Sequence, residues 1–177
     1  LKKNKVFDEN TIQYKLNIYM ESYIITEDEA QIWGMFMGDG SCGFYKCKSG
    51  DKYSWALNNN DMDRLKLYKD LLEKVEPIKF KILDTLESSG VYKLVPSGSI
   101  SYMVNKYRPL FYDSNKAKLV PTNILNAKFS IRKAFFHGHF DGDGTFYSYW
   151  DPRWRSSFMF YTEFVSASKT HIIWLRK

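Results

Sequence analysis

The chain has 177 residues, 44% of them apolar and 18% aromatic, and a formal net charge of +6. That composition supports one domain with a real core, or two fused half-domains. It excludes a disulfide scaffold, because Cys42 and Cys47 are the only cysteines and fall on opposite faces of one predicted strand. It excludes a membrane-spanning chain too, since no apolar run approaches the ~20 residues a span needs. The cysteine usage predicts an intracellular, reducing compartment. A basic, aromatic-rich balance leans towards nucleic acid as partner.

In chain order, residues 1–25 are polar, then tyrosine-rich, without a clear period, and read as a lead-in from another domain. The start at Leu1, with no apolar signal region behind it, predicts a piece of a longer protein. Thr26 and Glu29 have the spacing of a capping box and open a helix that Gly40 stops. Two strands follow, about Cys42 to Lys48 and Tyr53 to Asn58, turning at Ser49-Gly50-Asp51. A helix is predicted from Asp61 to Val75, with Leu65, Leu67, Leu71, Leu72 and Val75 as its apolar side. Pro77 blocks its continuation. Strands at Ile78–Leu83 and Val91–Val95, joined through Ser88-Ser89-Gly90, lead into a helix at Ile100–Phe111.

Asp113 to Pro121 is a polar connector carrying Lys116 and Lys118. Asn123 or Asn126 is expected to start the next helix. Strands near Thr145–Trp150 and Ser157–Thr162 then turn at Asp151-Pro152-Arg153, and Ser166 opens a helix running into the chain end. The order is αββαββα followed by αββα.

Two helix endings carry the most information. Ile32-Trp33-Gly34-Met35-Phe36-Met37-Gly38-Asp39-Gly40 and Phe136-His137-Gly138-His139-Phe140-Asp141-Gly142-Asp143-Gly144 share one pattern: apolar, x, Gly, x, apolar, x, Gly, Asp, Gly. A repeated supersecondary unit implies pseudo-twofold symmetry. Gly34 and Gly38 share a helix face, as do Gly138 and Gly142. Interior helical glycine costs roughly 1 kcal/mol against alanine, so matched pairs predict close backbone packing of the two helices. Each helix would then end at an Asp facing the negative end of its own dipole, a cost of about 0.3 to 1 kcal/mol. Two such ends within several ångströms repel by roughly 3 kcal/mol at an effective dielectric of 20. Protonation of one carboxylate or a divalent cation relieves that repulsion, and Mg²⁺ or Mn²⁺ with water and phosphate suits the donors. The chemistry that follows is phosphodiester hydrolysis.

Other motifs fail on context. Gly38-Asp39-Gly40-Ser41-Cys42-Gly43 matches a dinucleotide fingerprint, but the order is helix then strand, the reverse of what it needs. Asp141-Gly142-Asp143-Gly144 starts like a calcium loop, but Pro152 stands where the last ligand belongs. His137 and His139 lie on different helix faces and do not share a zinc.

The paired motif resembles the LAGLIDADG homing endonucleases, over about residues 26–177. The resemblance implies an α+β fold of two pseudo-symmetric αββαββα halves packed through the LAGLIDADG helices. Here the second half is incomplete: residues 26–112 form the first repeat, 113–122 a linker, and 123–177 a truncated second repeat. The resemblance makes Asp39 and Asp143 the catalytic and metal-binding residues, with Gly38 and Gly142 beside them in the metal set, and gives Lys93 a place near the active site. It implies a monomer with internal pseudo-dimer symmetry that binds double-stranded DNA and cuts it with Mg²⁺ or Mn²⁺. Its sheets supply the DNA face: Lys46 and Lys48 beside Phe44, then Lys52, Lys79 and Lys81, and in the second half Tyr147, Tyr149, Arg153 and Arg155. Asn58 or Asn59 is a candidate partner for adenine.

The segment Ser89-Gly90-Val91-Tyr92-Lys93-Leu94-Val95-Pro96 looks like the endonuclease part of inteins, those lodged in viral-type DNA polymerases in particular. No splicing residues are visible, so residues 1–25 are at most a remnant of a splicing domain. Met37 departs from the acidic mid-motif residue that Asp141 keeps. The truncation keeps a second reading open: the same fold binding nucleic acid without cutting it, as an RNA maturase or a decayed endonuclease.

Overall fold

The computed structural model describes residues 24–150 and 158–164. The lead-in before Ile24, the turn at Asp151-Pro152-Arg153 and the helix expected from Ser166 therefore lie outside the described residues. Helix α1 (Glu27–Asp39) leads into strands β1 (Gly40–Cys47) and β2 (Gly50–Asn59), then α2 (Met62–Val75) and β3 (Phe80–Thr85). The one-turn α3 (Leu86–Ser89), strand β4 (Val91–Pro96) and α4 (Ile100–Phe111) follow. Next come the short α5 (Thr122–Leu125), α6 (Phe129–Asp143), β5 (Gly144–Trp150) and β6 (Phe158–Phe164). The fold is mixed helix and antiparallel sheet, with one four-stranded sheet ordered β1-β2-β4-β3 and one two-stranded sheet, β5-β6.

Local chemistry explains most boundaries. The Thr26 hydroxyl accepts the Glu29 N–H at 3.2 Å, the N-cap expected from the capping spacing. Asp61 caps α2 by accepting from the Asp63 and Arg64 amides. Along α2 the buried stripe is Leu65, Tyr68 and Leu72 at helical spacing, whereas Leu67 is 50% exposed. Leu67 is two residues from Leu65 and so points off that face. The predicted turn at Ser88-Ser89-Gly90 is a single helical turn closed by Gly90 in the left-handed region, φ 72°. Neither Asn123 nor Asn126 starts the second motif helix. Asn126 ends α5, its side-chain amide donating back to the Thr122 carbonyl at 3.2 Å, and α6 begins only at Phe129.

One face of the four-stranded sheet carries the core. Trp55, Leu57, Phe80 and Leu94 are buried there under α1 and α4. Phe36 is the hub: its ring lies 4.8 Å from both Tyr107 and Phe111 and 5.7 Å from Trp55, between centroids. Three helices are also tied by a buried ionic group. Lys106 of α4 donates to Glu29 of α1 at 2.9 Å and to Glu76, just past α2, at 2.8 Å, while the Tyr102 hydroxyl donates to Glu76 at 2.9 Å.

Helices α1 and α6 meet backbone to backbone, as the glycine spacing predicts. A Cβ on Gly34 would run into the Phe135 carbonyl oxygen and the His139 amide, and one on Gly138 into the Gln31 carbonyl and the Met35 amide. Towards the helix ends, a Cβ on Gly38 would sit 3.1 Å from the Asp143 carboxyl carbon, and one on Gly142 would sit 3.2 Å from the Asp39 amide. The contacts are reciprocal under exchange of the two motifs.

Candidate active site

The site forms where these two helices end together. Asp39 is the last residue of α1 and Asp143 the last of α6, and each chain turns directly into a strand. Gly40, expected as a helix stop, and its counterpart Gly144 have ordinary extended backbone at φ −81°. Glycine is required there for space: a Cβ would enter the Phe36 ring in one case and the Phe140 ring in the other.

Neither motif helix has a basic residue in its last turn. Each therefore ends with a carboxylate at the negative pole of its dipole, and the compensating cations arrive from elsewhere in the chain. Lys118, in the connector, donates from Nζ to the carbonyls of Phe36 (2.9 Å), Met37 (3.1 Å), Gly38 (3.3 Å) and Gly40 (2.5 Å), with its ammonium 5.2 Å from the centre of the Phe36 ring. Arg64 of α2 donates to the Asp141 carbonyl at 2.6 Å, and the Tyr68 hydroxyl donates to the Asp141 carboxylate at 2.6 Å. Asp141, the mid-motif acid that Met37 replaces in the first copy, thus braces α6 against α2.

Asp39 is held from two sides. Asn58 Nδ2 donates to its main-chain carbonyl at 2.9 Å, and Asn59 Nδ2 donates to its Oδ2 at 2.6 Å. One or other of these asparagines was read from the sequence as a candidate adenine partner; both bond Asp39. Burial pushes the Asp39 carboxyl up to about 6; the Asn59 bond opposes that, Asp143 adds to it, and Lys118 and Arg64 oppose it. Burial also raises Asp143, against the pull of Lys118. Lys118 is driven down to about 8 by burial, while Asp143 and Asp39 work to keep it charged.

The donor set suits a hard divalent cation. Among the described residues no group of three His, Cys, Asp or Glu side chains converges as an all-protein cage. Two carboxylates at one edge, with water and phosphate completing the shell, are the arrangement Mg²⁺ or Mn²⁺ takes when it is bound together with a substrate. The Gly38 carbonyl, placed in the metal set by the family resemblance, accepts from Lys118.

The expected DNA-facing residues divide by strand parity. Lys52 stands opposite Tyr45, Lys93 opposite Asn58 and Leu83, and Lys81 opposite Val95. All three alternate with the buried residues and so lie on the sheet face away from the core. Lys46 has the parity of Phe44, whose ring packs on Tyr53 at the core edge, and stays exposed further along the hairpin. Lys48 sits in the turn between β1 and β2. Lys79 precedes β3 and pairs with Glu73 of α2 at 3.0 Å, while its carbonyl accepts the Ser97 N–H at 2.8 Å and so continues the β3–β4 ladder with the parity of Lys81. Tyr147 and Tyr149 lie two apart on β5, and Arg153 and Arg155 lie outside the described residues.

Sequence reasoning missed the roles of Lys118, Arg64, Tyr68 and Asn59. The run Asn58-Asn59-Asn60-Asp61, polar where the strand end is otherwise buried, was a signal for Asn59 alone.

No protein-family model matches the chain. A DNA polymerase of Acanthamoeba polyphaga mimivirus is 59% identical over 121 residues, which is 68% of this chain and 7% of the polymerase. Two solved structures of the homing endonuclease I-DmoI align with part of the chain. One, of mesophilic variants, has a TM-score of 0.45 at 16% identity and aligns over 67% of this chain and 62% of its own. The other, in complex with DNA and Mn, has a TM-score of 0.46 at 18% identity and aligns over 67% and 63%. The chain is therefore similar in sequence to part of a viral DNA polymerase, and its structure neighbours are homing endonucleases of the LAGLIDADG family that its paired motif resembles.

Proposed function

We propose that this chain is the nuclease part of a mobile element, an intein lodged in a viral-type DNA polymerase, and makes a site-specific, divalent-metal-dependent double-strand cut in DNA. One observation carries the reading: two carboxylates, Asp39 and Asp143, end two glycine-packed helices side by side, and burial raises both against the pull of Lys118. Asp39 and Asp143 would hold Mg²⁺ or Mn²⁺, which would supply Lewis-acid stabilisation of the phosphate and activation of a water. Each Asp serves one strand. The sheet face with Lys52, Lys81 and Lys93 lies along the DNA backbone and neutralises phosphates, which fixes the register of the duplex. Lys118 and Arg64 hold the helix ends in place, so the two carboxylates keep their separation as substrate arrives. The I-DmoI structure with DNA and Mn is in keeping with this partner and this class of metal. The free Cys42 and Cys47 suit work in a reducing compartment.

The test is cleavage of a randomised duplex library with Mg²⁺, read by sequencing the ends. Defined ends for the wild type and none for Asp39→Asn, with DNA binding retained, support the reading. Binding without metal-dependent cutting by the wild type replaces it with the non-cleaving form of the same fold.

A further inference from the structure

Asn59 belongs to none of the groups given a part in the proposed reaction, yet it is the side chain that grips the first-motif carboxylate. It sits at the end of β2 and is 6% exposed. Its Oδ1 accepts the Asp61 N–H at 2.9 Å, and a backbone N–H can only donate. That bond fixes the orientation of the amide, so Nδ2 must face Asp39 Oδ2, at 2.6 Å. Asp61 is itself fixed, because its carboxylate caps α2 through the Asp63 and Arg64 amides at 3.0 and 3.1 Å. A rigid relay therefore runs from the α2 cap through Asn59 to the carboxylate. The same helix reaches the second motif through Arg64 and Tyr68 on Asp141.

We propose that Asn59 is a positioning residue for Asp39. Its amide occupies Oδ2 and holds the carboxylate in one orientation, which leaves Oδ1 as the oxygen Asp39 would offer to a cation. The proposal rests on the nuclease reading above. Partners of this kind orient metal ligands generally, and their removal typically weakens metal affinity or activity by about 10- to 100-fold.

The experiment compares wild type, Asn59→Ala and Asp39→Ala by three readouts. In metal-free protein with ¹⁵N-labelled asparagine, the Asn59 side-chain amide signal should shift in Asp39→Ala; an unmoved signal overturns the proposal without any Asn59 variant having to fold. In calorimetric titration with Mn²⁺ alone, Asn59→Ala should bind about 10-fold more weakly or worse; unchanged affinity in a folded variant overturns it. On supercoiled plasmid, Asn59→Ala should slow the cut on the Asp39 strand far more than on the other, so nicked circles accumulate. An equal slowing of both strands points to a merely structural role and also overturns it. If the wild type binds Mn²⁺ but cuts nothing, the cleavage reading fails while the first two readouts still decide the role of Asn59. If it binds no Mn²⁺, both fall together.

Discussion

Asp39 combines two features that rarely coincide: it ends a helix, where a negative charge is unwelcome, and it is substantially buried. Burial pushes its carboxyl from 3.8 up to about 6, with Asp143 adding to the rise and Asn59, Lys118 and Arg64 opposing it. With a folded pKa above the unfolded one, the folded protein holds the proton more tightly. This group therefore favours folding below the ordinary carboxylate range, and that contribution is lost as pH rises through about 6. Cation binding runs the other way, because the ligand must be deprotonated. Carboxyl NMR on metal-free protein should show the Asp39 midpoint near 6, and Mn²⁺ affinity should fall progressively as pH drops below that value. A pH-independent affinity across that range would remove Asp39 from the ligand set.

Among the elements, the join between α1, α2 and α4 depends on Lys106. Glu29 and Glu76 are 1% and 4% exposed, and both accept from its ammonium. Burial works against the charge on Lys106, but the bonds to Glu76 and Glu29 more than compensate and hold its pKa above the ordinary lysine value. Lys106→Met leaves two buried carboxylates without their cation and should cost about 3 to 5 kcal/mol in urea denaturation. Tyr102→Phe, which removes one neutral donor from Glu76, should cost about 1 kcal/mol.

The same elements show what a sequence can encode locally. The ends of α4 at Ile100 and Phe111 were readable from apolar spacing, and the α1–α6 contact was readable because four glycines at matched spacing have one economical use. The identity of the cations that reach the helix ends was not. Lys118 lies some 80 residues from Gly38, and Arg64 lies 77 from Asp141. No periodicity links such pairs; the folded path of the connector and of α2 brings them together. Lys79 shows the same limit: alternation gives it the parity of Lys81, but not its ion pair with Glu73, which α2 brings within reach.

At the scale of the molecule, charge is separated by face. The helix side of the four-stranded sheet buries aromatic residues, while the opposite face carries Lys52, Lys81 and Lys93 on three strands. If that face lies on DNA, each lysine releases condensed counterions on binding. Lys52→Gln and Lys81→Gln should each weaken binding at low salt and lower the slope of log affinity against log salt by about 0.9. Lys79→Gln, at a residue already paired with Glu73, should change the slope much less. Equal slopes for all three variants would detach DNA binding from this face.

The reciprocity of the helix contacts has an evolutionary corollary. Gly34 meets Phe135 and His139 just as Gly138 meets Gln31 and Met35, which is the signature of an isologous interface between identical subunits. Carried on one polypeptide, that interface no longer obliges its two sides to match. Met37 has already parted from Asp141, and Trp33 from His137, while the glycines and terminal acids stayed the same. A homodimer can read only a palindrome. A fused pair whose halves drift independently is free to read two unrelated half-sites; on the proposed function, the sequence read by this chain can change one half at a time while the joint that aligns the carboxylates is preserved.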